Sequence, residues 1–187
     1  YITKDAKIKR AVNDLFLSKT FDNGMICASE QAIIVDNEVY NDVKAEFLAH
    51  NAYIVSSKAE LAKLQAAVML PDGHAVNPKI VGFSAKYIAE LAGIKVPEET
   101  KLLIAEIAGV GADFPLSREK LSPVLAMVKA NSTEEGLDLC EAMLDLGGLG
   151  HTAVIHTEDE DLQIQFGIRM KACRILVNTP AAEGGIG

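Results

Sequence analysis

The sequence predicts an α/β fold: a mostly parallel sheet covered by helices on both faces. Three observations support this. Short apolar runs alternate along the chain with segments of helical period. The runs at Ala32 to Val35, Ala52 to Val55, Leu102 to Ile107 and Pro123 to Val128 are continuous rather than alternating apolar and polar, as in strands buried on both faces. The 187 residues are 49 % hydrophobic, enough to enclose a core of ordinary domain size. Aromatic residues make up only 5 % and Trp is absent, so aliphatic side chains must fill most of that core.

The elements follow in order. Lys4 to Leu17 reads as a helix, with Ile8, Ala11, Val12 and Leu15 at helical spacing. KTFDNG is a polar turn, and Cys27 follows it. After the strand at Ala32 come a helix over Val39 to Ala49 and a strand at Ala52. Ser57 and Glu60 form a capping box ahead of Leu61 and Leu64. Leu70 to Gly82 is loop-rich, and Tyr87, Ile88 and Leu91 mark a short helix ended by Gly93. AGVGADFPLSREKLSP is a long connection between two strands, the kind of segment that carries function. Ser132 and Glu135 open a helix on Leu137, Cys140 and Leu144, which GGLG closes. TAVIH is a strand, Glu158 to Met170 a helix, and RILVN, Arg174 to Asn178, the last strand. No repeat, low-complexity tract or boundary divides residues 1–187, so one lobe is expected.

Composition excludes several functions. The formal net charge is -8, from 18 basic and 26 acidic residues. The longest basic cluster, KIKR, fits a solvated helix face, so no nucleic-acid partner is expected. No run approaches the roughly 18 uncharged apolar residues of a membrane span. YITKDAKIKR lacks the order of a signal peptide and an initiator Met, and the chain ends on GGIG, so further chain is expected on both sides. Cys27, Cys140 and Cys173 are odd in number and form no CxxC pair, which suits reduced thiols in a cytoplasmic protein.

Cys27 lies between a polar turn and a buried strand. A reactive thiol needs such a reachable, rigidly held place, and backbone N–H groups after the Asn-Gly turn would favour negative charge on sulfur or on an oxyanion. A buried structural cysteine is the other reading of the same position. Cys140, on an apolar helical stripe, and Cys173, beside a strand, read as packing residues. His151 follows GGLG and is expected on a loop, where an imidazole can act as general base or simply sit solvated. His156 falls in a strand-like run, and His50 and His74 show no partnering pattern. No histidine or Cys/His spacing suits a metal, so none is expected in this chain. Glu119, in SREKLSP, is a loop carboxylate able to grip a ribose hydroxyl or to remain a solvated charge. GVG, Gly109 to Gly111, lacks its third glycine because Phe114 stands there, so no dinucleotide fingerprint is present.

SKTFDNGMICASEQ resembles the nucleophile segment of CoA-acylating aldehyde dehydrogenases, above all the aldehyde dehydrogenase half of bacterial bifunctional aldehyde-alcohol dehydrogenases. The resemblance continues through REKLSPVLAMV, GGLGHTAVIHT and RILVNTPAAEGGIG, in order along the whole chain. It implies that Cys27 is the nucleophile, that Glu119 holds the nicotinamide-side ribose of NAD, and that His151 lies near the site and assists acyl transfer with coenzyme A. It implies a preceding NAD-binding domain that also supplies an asparagine donor to the oxyanion. It implies a homo-oligomer whose oligomerisation element extends beyond GGIG, and iron only in an alcohol dehydrogenase half outside this chain. Other acylating dehydrogenases and acyl-phosphate reductases of the superfamily stay open. So do a catalytically silent scaffold and a redox-sensor thiol.

Overall fold

A computed structural model of the chain describes residues 1–147 and 149–186. Its elements are α1 (Ile8–Thr20), β1 (Ala32–Asp36), α2 (Tyr40–Ala49), β2 (Ala52–Val55), α3 (Lys58–Val68), α4 (Ala85–Leu91), β3 (Leu102–Glu106), β4 (Val124–Ala130), α5 (Thr133–Gly147), β5 (Gly150–Ile155), α6 (Glu160–Arg169), β6 (Ala172–Val177) and α7 (Ala181–Ile186). Single 3₁₀ turns occupy Phe21–Gly24, Pro78–Ile80 and Pro115–Ser117.

Every pairing between named strands is parallel, as the continuous apolar runs require. Four strands form one sheet in the order β1-β4-β3-β2, and β5 pairs with β6 in a second. The single sheet expected from the sequence is thus split, and the amino-terminal residues close the gap. Ile2 makes parallel bridges to Val35 on one side and His156 on the other. Its N–H donates to Ile34 O at 2.9 Å, and Asp36 N–H donates to Ile2 O at 3.0 Å. Thr3 N–H donates to His156 O at 3.1 Å, and His156 N–H to Tyr1 O at 2.8 Å. Three residues are too few to show a strand pattern, so this stitch was not legible beforehand.

Side-chain alternation assigns the helices to faces. Ile33, Val35, Ile104, Leu125 and Met127 pack with α1 and α2. The intervening Leu103, Ala105 and Val124 pack with α3 and α4, and Ile34 and Val128 pack with α5 and α6. Both expected N-caps form: Glu60 N–H donates to Ser57 Oγ at 3.2 Å and Glu135 N–H to Ser132 Oγ at 3.1 Å, while the Glu135 carboxylate accepts from Asn131 N–H rather than from Ser132. Gly93, at φ +66°, follows the end of α4 in the left-handed conformation glycine adopts freely.

Several boundaries differ from expectation. α1 runs from Ile8 rather than Lys4 and continues through Lys19 and Thr20, so the first two residues of the expected KTFDNG turn are α-helical and the other four form the 3₁₀ turn. β6 begins at Ala172, which places Cys173 inside the strand. It is exposed there, not packed. The strand β5 includes Gly150 and His151, so the expected loop position of His151 is corrected to a strand start. Gly148 of GGLG and Gly187 of the terminal GGIG lie outside the described residues. The helix α7 has no sequence precedent in an AAEGG run, because glycine is a poor helix former.

Candidate active site

β1 and β4 pair in parallel, and Ile2 bridges in parallel to β1 and to His156 just past β5, so the loops that enter β1, β4 and β5 all arrive at the amino ends of their strands on one side of the two sheets. Those three loops, or strand starts, carry Cys27, Glu119 and His151. Ligands in open α/β sheets more often bind at the carboxyl ends of strands. Here the three sequence-predicted residues instead line one cleft at the opposite end, together with Ser29, Met143 and Thr152.

The Cys27 loop is shaped by its turn. Asp22, Asn23 and Gly24 have φ of 48°, 50° and 70° in succession. Asn and Asp tolerate this region and Gly enters it freely. Asn23 Nδ2 fixes the turn by donating to Gly82 O at 3.0 Å. The chain then lifts Cys27 into solvent while the following Ala28 and Ser29 are buried. Glu30 anchors the loop from behind. Ser18 Oγ donates to its Oε2 at 2.5 Å, and Ala181 N–H, at the start of α7, donates to its Oε1 at 3.1 Å. Burial raises the Glu30 carboxyl above its ordinary range, against the lowering effect of those donors and of Lys19. Cys27 is therefore the exposed thiol of the two open readings, not the buried structural one.

Glu119 is exposed at the cleft on the segment between the Pro115–Ser117 turn and β4. The next residue, Lys120, is fully buried at 0 % exposure. Its Nζ donates to Gln31 O at 2.8 Å, Leu116 O at 2.8 Å and Arg118 O at 2.6 Å. Three carbonyls saturate the three N–H donors of an ammonium. Burial, then the nearby Lys19, still drives its proton affinity well below the ordinary lysine value. Leu121 follows at φ 43°, a left-handed conformation unusual for a branched apolar residue and of the kind that gathers at functional sites.

His151 is exposed, and its Nδ1 stands 3.1 Å from Thr152 Oγ1. Cys173 Sγ donates to the His151 carbonyl at 3.2 Å across the β5–β6 pair. His156, just past the end of β5, is only 2 % exposed and packs below the cleft. Cys140 is buried on α5, where burial pushes its thiol up, so of the three cysteines Cys27 alone is an exposed thiol lining the cleft. Among the described residues, no three His, Cys, Asp or Glu side chains gather as metal ligands. No helix among the described residues is long and apolar enough to cross a membrane.

Sequence reasoning missed Gln31, which lines the cleft, and Lys19 and Lys120, which are buried and bonded to it. A signal for Lys19 existed. It stands four residues after Leu15, itself four after Ala11, so it falls on the apolar stripe of α1. A charge at such a position is either an error of register or a buried group with partners.

No family model matches the chain. Over its whole length it is 47 % identical to aldehyde-alcohol dehydrogenase 2 of Entamoeba histolytica, covering 22 % of that protein. It is likewise 47 % identical to the bifunctional aldehyde-alcohol dehydrogenase AdhE of Escherichia coli K12, covering 21 % of it. The chain thus spans about a fifth of the length of the curated relatives it matches. The crystal structure of an acetylating aldehyde dehydrogenase from Geobacillus thermoglucosidasius superposes with a TM-score of 0.95 at 44 % identity, covering all of this chain and 41 % of that one. The resemblance seen in the motifs therefore extends to the whole chain and to its fold.

Proposed function

We propose that this chain, homologous over its full length to the CoA-acylating aldehyde dehydrogenases, is the thiol-bearing part of an acetaldehyde dehydrogenase (acetylating). The reaction is acetaldehyde + CoA + NAD to acetyl-CoA + NADH. The observation that carries this reading is the convergence of an exposed Cys27 with Glu119 and His151 on one cleft.

Cys27 thiolate attacks the aldehyde carbonyl carbon and forms a thiohemiacetal. The C–H bond of that carbon then breaks, and a thioester on Cys27 remains. NAD, when bound, supplies the acceptor for that hydride. Glu119 suits the ribose of such a coenzyme, because an exposed carboxylate at the cleft can accept charge-assisted hydrogen bonds from vicinal hydroxyls. The CoA thiolate next attacks the thioester, forms acetyl-CoA and releases Cys27 as thiolate. His151, exposed at the start of β5, takes the thiol proton of CoA.

The remaining expectations belong to the same proposal. Residues 1–187 form the catalytic domain of a longer chain, preceded by the NAD-binding domain. Apolar surface beside the Cys27 loop supports a covering domain. Phe83 stacks on Tyr87 with ring centroids 4.4 Å apart, and Phe83, Tyr87 and Met25 are all exposed. The protein is a cytoplasmic, fermentative homo-oligomer, and iron belongs to an alcohol dehydrogenase half elsewhere.

The test is NADH formation from acetaldehyde by the full-length protein, with and without CoA, beside Cys27→Ala. Activity that needs both CoA and Cys27 is the expected result. CoA-independent production of acetate, or a fully active Cys27→Ala variant, would overturn the reading.

A further inference from the structure

The loops that carry Cys27 and Glu119 are far apart in sequence, and nothing local sets the distance between them. Beside the backbone contact of Gly24 with Ser122, one side chain bridges them. Gln31 Oε1 accepts from Lys120 N–H at 3.0 Å and from Lys19 Nζ at 3.2 Å. Gln31 Nε2 donates to Ser29 O at 3.1 Å. Both ends of the carboxamide are therefore used. Its donor end holds the residue two positions after Cys27, and its acceptor end holds the residue immediately after Glu119. Lys19 Nζ also reaches Ser29 Oγ at 3.5 Å, and the ammonium of Lys120 clasps the carbonyl of Gln31 itself.

Lys19 and Lys120 are both 0 % exposed. Two buried ammonium groups side by side are costly, and a hydrophobic side chain of similar volume would ordinarily serve packing better. Their donors are instead spent on the two loops. Glu119 and Glu30 are the acidic groups that face Lys19, and Glu119 also faces Lys120.

We propose that Gln31, with Lys19 and Lys120 bound to it, forms a clamp that sets the separation of Cys27 from Glu119, and so holds the nicotinamide coenzyme in line with the thiol. These three are positioning residues: none of them touches the reacting atoms. The inference rests on the roles given above to Cys27 and Glu119.

The clamp makes a distinct prediction. Losing it should weaken the coupling of the two loops while leaving the thiol itself present and exposed. In the full-length protein, Gln31→Leu is expected to raise the KM and the Kd for NAD about tenfold and to lower kcat. The rate of Cys27 alkylation by iodoacetamide without coenzyme should stay within about twofold. Gln31→Glu keeps the acceptor oxygen and should fall between wild type and Gln31→Leu. Lys19→Met removes one tie with an apolar side chain of similar length and keeps the fold testable if Gln31→Leu does not fold. It should raise the Kd for NAD at least threefold.

NAD affinity within twofold of wild type in folded Gln31→Leu or Lys19→Met overturns the clamp. So does an alkylation rate that falls in parallel with NAD affinity, since that would place the effect on the thiol loop alone. Failure of the functional reading is separate: it shows in the wild type as no CoA-dependent NADH formation, whereas NAD binding by fluorescence titration still reads the clamp.

Discussion

A Cβ on Gly24 would stand 2.5 Å from the carbonyl oxygen of Ser122. The turn before Cys27 and the segment after Glu119 are therefore in backbone contact, with no room for even a methyl group between them. Gly24 also has φ +70°, so both its space and its conformation require glycine.

Gly24→Ala should consequently destabilise the fold by about 2–4 kcal/mol, the sum of left-handed strain and overpacking. Urea unfolding measures this. The same variant should lose most activity in the full-length protein, because relief of the clash must displace one of the two loops.

The three thiols should separate by accessibility. Cys27 and Cys173 are exposed and Cys140 is buried. Ellman's reagent should titrate two thiols per native chain quickly and a third only on unfolding. Cys27→Ala should remove one fast equivalent, and Cys140→Ala should leave both.

Lys19 gives the stability of the protein a pH dependence. Burial, opposed by Glu30 and Glu119, lowers its ammonium from 10.5 to about 7. Between those values the unfolded chain holds a proton that the folded chain does not, so stability rises with pH through the window. Below pH 7 both states are protonated, and the full cost of burying the charge is present. Lys19→Met should be more stable relative to wild type at pH 6 than at pH 10, by an amount on the order of 4 kcal/mol. Denaturant midpoints at the two pH values test this, and equal differences would contradict it.

His156 works in the acid range. Burial above all, and then the positive amino group of Tyr1 and Arg10, lower its imidazole from 6.5 to about 3. The folded state resists protonation that the unfolded state accepts, so stability is lost as pH falls from 6.5 toward 3. His156→Phe should remove that loss, gaining on the order of 3 kcal/mol over wild type at pH 4 relative to the difference at pH 8.

Arg169 joins α6 to α5 through three carboxylates: Glu134 at 2.9 Å, Asp138 at 2.6 Å and Glu141 at 2.8 Å. Arg169→Ala should cost about 1 kcal/mol, since the acidic partners are largely solvated, and the loss should shrink in high salt.

Much of this architecture was legible in the sequence. Continuous apolar runs identify strands buried on both faces, and the runs at β1, β2, β3 and β4 lie where they were expected. Capping residues act locally, so Ser57 and Ser132 could be read directly. The motifs around Cys27, Glu119 and His151 marked the candidate site residues. What was misread depends on distant partners. Lys19 looks like a turn residue until Gln31 and Ser29 are brought to it, and Cys173 looks like a packing residue until the edge position of β6 exposes it. The stitch by Ile2 and the short α7 lack any local signal, because pairing with β1 and β5 and packing against the Cys27 loop stabilise them.

By itself, then, the sequence determined the alternation of strands and helices, the parallel sheet, and which residues could do chemistry. These follow from periodicity, capping and residue type, all of which act over a few positions. Only the tertiary structure decided that the entries to β1, β4 and β5 meet on one side of the two sheets, and that Gln31 holds two of them together. Hydrogen bonds such as that from Lys120 to Gln31 join residues 89 positions apart, and chain folding alone brings such groups within reach.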